Sequence, residues 1–167
     1  GDSGRLRQVV VNLGGNATVN GVLTFTSGTT TTGANTLTLG AAASVSRTSG
    51  HVVGNFKKPV ATGSSVSRTF EIGDATRYTP VAVVFGSVSN AGSLQASTTS
   101  SEHPNNATST INPAKSVNRY WTLTNTGTVF TNYSATYTFV SGDVDAGAST
   151  SNFIVGDYGG SSWTYPT

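Results

Sequence analysis

There is no cysteine and no methionine anywhere in these 167 residues, and charged side chains make up only 10% of them. An average soluble domain carries roughly 25%. The missing cysteine removes disulfides, thiol catalysis and thiolate metal sites together. The missing methionine means that Gly1 is not a translation start; a processed product or an excised fragment is expected, and a secretory signal removed ahead of Gly1 would explain it. The shortage of charge excludes a nucleic-acid binder. Nine basic residues against seven acidic ones leave a net +2, and Lys57-Lys58 is the only adjacent basic pair, whereas phosphate backbones need a dense basic stripe. No apolar run approaches the roughly 18 residues of a membrane-spanning helix, so no membrane span is expected.

Thr, Ser, Asn and Gly fill the space that charge leaves. Such a surface is polar through hydroxyls and amides, and little on it titrates, which suits life outside a cell or on its surface. The length suffices for a real core, since a domain of this size hides roughly 70% of its unfolded surface. Sustained helical periodicity is absent; short alternations bounded by Gly, Asn, Ser or Pro recur instead, the mark of strands and turns. Val66, Arg68, Phe70 and Ile72 fall on one face of a strand. So do Val81, Val83 and Phe85, then Val117, Arg119, Trp121 and Leu123, then Tyr133, Ala135, Tyr137 and Phe139.

The expected fold is all-β, divided by composition into three stretches of one continuous domain. Residues 1–15 hold a polar leader and an apolar strand. Residues 16–63 form a Thr/Gly-rich β-arch region, whose apolar pairs Val22-Leu23, Leu37/Leu39 and Val52-Val53 recur every 14–16 residues, like stacked rungs. Residues 64–167 carry most of the aromatics and predict a β-sandwich, jelly-roll or Ig-like.

Three runs, VNGVLTFTSGTTTTGANTLTLG, RTFEIGDATRYTPVAVVF and SVNRYWTLTNTG, together resemble a Gly/Thr-rich β module of large secreted and cell-surface proteins of Bacteroidota and related bacteria. The resemblance covers most of residues 11–125. It implies an extracellular or cell-surface location and names no ligand.

Motifs with a catalytic look dissolve on inspection. GDSG at residues 1–4 matches a serine-protease nucleophile motif, yet a free terminus offers no histidine base or orienting carboxylate. Among the acids, Glu71 and Asp74 flank a glycine, and Asp74 reads as a turn cap. Asp143 and Asp145 resemble a truncated calcium loop, but its further oxygen ligands and closing Glu are absent, and they read as a polar turn after the strand ending at Val140. Asn16, Asn106 and Asn132 head acceptor sequons. Lys57, Lys58 and Lys115 are the lysines that an isopeptide crosslink would use. No enzyme and no cofactor are expected.

Binding is expected at two places. Val9, Val10, Val11 and Leu13 make an apolar N-terminal strand that pairs either with its own sheet or, by exchange, with a neighbouring copy. Head-to-tail exchange would build a filament. Tyr120, Trp163 and Tyr165 are the candidate contacts for a surface glycan. The expected function is an extracellular structural subunit, of a filament, sheath or surface layer, whose partners are copies of itself; the alternative is an adhesin or glycan-binding module of a larger bacterial surface protein.

Overall fold

A computed structural model describes residues 9–166 of the chain. Residues 1–8, with GDSG and the start of the N-terminal stretch, lie outside the described residues. The architecture is all-β. Five short or bent strands open it: β1 (Val10–Asn12), β2 (Ala17–Val19), β3 (Val22–Phe25), β4 (Thr29–Leu39) and β5 (Ser44–Arg47). β6 (His51–Val60), β7 (Gly63–Phe70) and β8 (Ile72–Gly73) follow.

Apart from β7, these strands pair in parallel. β1 and β2 both lie on β4, β3 lies on β5, β4 lies on β6 and β6 on β8. The chain therefore winds in rungs, and this part of the molecule is a β-solenoid. Val10 lies opposite Thr29, an offset of 19 residues, and Val22 opposite Ser44, an offset of 22. The spacing of 14–16 expected from apolar pairs is thus corrected. The residues that stack are Ala17, Leu37 and Phe56, of which Leu37 and Phe56 are buried.

Asparagines hold the corners. Asn35 Nδ2 donates to Leu13 O at 3.0 Å, and Asn55 Nδ2 donates to Asn35 O at 3.2 Å. Each thus ties its rung to the one before, at separations of 22 and 20 residues. Fully buried Thr32 completes the bend by accepting Asn55 N–H on Oγ1 at 2.9 Å. Beside it Gly54 adopts φ +111°, and a Cβ there would come within 2.2 Å of Thr32 Oγ1. The corner therefore requires glycine twice over, for its dihedral and for its space.

Antiparallel strands follow: β9 (Val81–Asn90), β10 (Gly92–Thr99), β11 (Tyr120–Thr126), β12 (Val129–Phe130) and β13 (Tyr133–Tyr137). β10 extends the solenoid sheet beyond β6, and β11 extends it again, giving the order β1-β4-β6-β10-β11. β9 is the centre of a second sheet with β7, β12 and β13. Val81, Val83 and Phe85 are buried as their alternation predicts. Both sheets feed one apolar cluster, in which Phe56 and Phe70 meet edge to face with centroids 6.3 Å apart. Strand pairing of any length stops at Tyr137. Beyond it come short 3-10 turns and one two-residue ladder, β14 (Asp157–Tyr158) with β15 (Trp163–Thr164). The sandwich expected to run to residue 167 does not extend through this segment.

The chain forms two compact units. The first runs to Thr98 and takes in Trp121–Thr138; the second is Thr99–Tyr120 with the chain from Phe139 onward.

Candidate interaction surfaces

Among the described residues, the first rung of the solenoid is its open end. Thr29 N–H donates to Val9 O and Leu13 N–H to Thr31 O, each at 2.9 Å. In a parallel pair, successive residues aim their amides to opposite sides. The N–H and C=O groups of Val10 and Asn12 therefore face away from β4, along the outer edge of the sheet. Val9, Val10 and Val11 are 59, 50 and 51% exposed, and Val22 of the same rung is 63% exposed, so the apolar groups of this end stand in water. Residues 9–25 include no charged residue and no proline. Leu13 departs from the expected set: it is half-buried against the core, and its carbonyl receives Asn35.

The second unit is organised the other way round. Its buried side chains are Asn106, Ser116, Arg119 and Asp143. Arg119 grips Asp143 through Nε to Oδ2 at 2.7 Å and Nη2 to Oδ1 at 3.1 Å, with both side chains shut off from solvent. Asp143 Oδ2 also accepts Val140 N–H. Glu102 accepts from Asn106 Nδ2 and from Ser116 Oγ. Asp145 accepts Ser116 N–H and Asn118 Nδ2, and these bonds, the Ser116 amide first, hold its carboxyl below the usual value. Asp143 is thus an arginine's partner, and Asp145 ties down a loop. Arg119, expected on a strand face with Trp121, precedes the strand, because β11 starts at Tyr120.

The aromatic rings of this unit are only half-buried. His103 is their hub. Its ring lies 5.0 Å from Tyr120, 5.2 Å from Tyr158 and 5.0 Å from Trp163, and Tyr158 and Trp163 are 5.1 Å apart. His103 Nδ1 accepts Asn105 N–H at 3.2 Å, which leaves the ring proton to Nε2. Trp163 Nε1 donates to Asn105 O and Thr108 Oγ1. Tyr165 lies beside Thr110, whose N–H donates to its hydroxyl at 2.7 Å; the Thr110 side chain first, and then this amide, lower the phenol's pKa. The structure thus brings together Tyr120 and Trp163, two of the three expected residues. It adds His103 and Tyr158, which sequence reading missed.

The remaining candidates have local duties. Asp74 Oδ1 accepts the amides of Thr76 and Arg77, the expected turn cap. His51 is buried against Asp74 O at 2.7 Å. Lys58 reaches Glu71 at 2.6 Å between the rings of Phe56 and Phe70. Burial lowers the Lys58 pKa, and the Glu71 carboxylate works against that shift. Lys115 donates to Ala146 O. Asn106 is buried with its amide nitrogen on Glu102, which removes it as a glycan acceptor in the folded chain.

No family model, no curated protein and no solved structure matches the chain.

Proposed function

We propose that this chain is an extracellular structural protein, the subunit of a filament, sheath or surface layer of a bacterial cell. One observation carries the reading. The terminal rung over residues 9–25 has no charge and no proline, and it presents half-exposed valines on an open β-edge. Repeat folds that stay monomeric need a polar face on the last repeat, and sheet edges are ordinarily guarded by lysine, proline or a bulge. An unguarded last rung is suited to receive another strand. Because β1 already lies on β4, assembly can add to its outer edge without first removing it from its own sheet. In this reading the antiparallel strands from β7 to β13 form a sandwich-like cap for the rungs. Surface location rests on the hydroxyl-rich, charge-poor composition and on the resemblance to Bacteroidota surface modules.

The surface aromatics favour a second reading, an adhesin or glycan-binding module. Rings of Tyr120, Tyr158 and Trp163 around a histidine that holds a ring proton are the groups that stack on and hydrogen-bond to a neutral sugar. Electron microscopy separates the two. Intact protein should form filaments, and Val10→Lys with Asn12→Lys, which puts charge on the open edge, should leave monomers. If both stay monomeric, the structural reading falls and the adhesin reading takes its place.

A further inference from the structure

A strand that offers an edge needs an edge to meet, and the same sheet has one. The seven-stranded sheet ends in β1 on one side and β11 on the other. β11 reads YWTLTNT, again without charge or proline. Trp121 and Leu123 pack inward against the core, while Thr122 and Thr124 are exposed on the opposite face. The two ends of one sheet therefore share the same omission: neither has the residues that keep sheet edges apart in solution.

Building on the structural reading above, we propose that β11 of a second copy is the acceptor for β1, so that copies join head to tail through one continuous sheet. The outward N–H and C=O groups of Val10 and Asn12 meet the outer row of β11, and the exposed valines of the first rung gain apolar cover. Two different surfaces meet, so the contact is heterologous. Each joined pair keeps a free β1 at one end and a free β11 at the other, and nothing limits the row to two copies. Pairing of β1 with a second β1 would stop at a dimer and leave the equally unguarded β11 without a role.

The test uses full-length chains with one end blocked. Val10→Lys with Asn12→Lys blocks the first rung. Thr122→Lys with Thr124→Lys blocks β11 at two exposed positions that leave the core untouched. Thermal unfolding close to that of the unaltered protein confirms that each variant folds. In sedimentation velocity the unaltered protein should form a concentration-dependent ladder of oligomers, and each variant alone should be a monomer. An equimolar mixture of the two should give a one-to-one dimer and nothing larger, because each supplies the end the other lacks. If the β11 variant assembles as the unaltered protein does, β11 is not the acceptor, although the structural reading survives. If the β11 variant and the unaltered protein both stop at dimers, β1 pairs with itself and the head-to-tail arrangement is wrong. If the unaltered protein is a monomer throughout, the structural reading and this inference fall together.

Discussion

The two units of this chain solve the problem of burial in opposite ways. Among the described residues, all the buried hydrophobic ones, from Phe25 to Ala96, belong to the first unit. The buried residues of the second are an amide, a hydroxyl and an ion pair, and its aromatic rings stay half in water. A strand-rich unit can let its backbone satisfy itself in ladders and bury whatever side chains face inward. A unit built mostly from 3-10 turns and loops, with the one short ladder of β14 and β15, has few such bonds. Its inward carboxylates must serve the backbone, as Asp145 serves Ser116 N–H and Asp143 serves Val140 N–H. The difference teaches that apolar burial is not the only way to fix a chain, and that a polar interior leaves aromatic rings available at the surface.

The comparison breaks most clearly at Phe56. Phe56→Ala empties a fully buried site in contact with Phe70, and should cost the first unit about 4 kcal/mol, read as an earlier urea transition in far-ultraviolet circular dichroism. Arg119→Ala strikes the second unit by leaving Asp143 buried without its arginine, at a cost of about 3 kcal/mol. Hydrogen exchange followed by mass spectrometry should show faster exchange over residues 99–120 and 139–166, while the strands from β4 to β9 keep their protection. Equal loosening of both would mean that the units do not have separate stabilities. Arg119→Met combined with Asp143→Leu should recover most of the loss, since an apolar pair of similar volume carries no unpaired charge.

Acid should make the smallest distinction. Asp145 is held below its ordinary value of 3.8 by Ser116 N–H and Asn118. A carboxylate with a depressed folded pKa stabilises the fold above the unfolded pKa, and that contribution is lost as the pH falls through the folded one. Below 3.8 the Ser116 amide should therefore lose its protection in nuclear magnetic resonance. The Val52 amide, bonded to Glu71 O within the strands, should keep its protection at the same pH. Loss of both amides together would assign acid sensitivity to the whole chain.

Much of the first unit was legible. The alternation of Val81, Val83 and Phe85 put the right faces inward, and threonine at pleated positions marked strands. The rung length was misread because apolar pairs were compared without regard to facing: Val22 is largely exposed, so its spacing to Leu37 measures nothing. The useful signal was the pair Asn35 and Asn55, 20 residues apart at successive corners. The second unit was less legible because its contacts are long-range. Trp163 bonds to residues 55 and 58 positions earlier, and Arg119 finds Asp143 across 24 residues. No local period reports such pairs. Tyr120 and Trp163 were found by residue type alone. His103, in a loop of ordinary composition, offered nothing to mark it as their hub.

The corner asparagines also say how this molecule could change its length. Because each rung carries its own tie to the one before, the rung is a self-contained unit of growth. A tandem duplication of residues 35–54 would insert one whole turn of chain, with its asparagine and its corner glycine, and would leave both ends of the sheet as they were. An insertion of five residues in the same stretch would throw every later corner out of step. Length in such a fold is inherited in whole steps of about twenty residues, and genetic drift in repeat number would alter the reach of the protein without altering what its ends recognise.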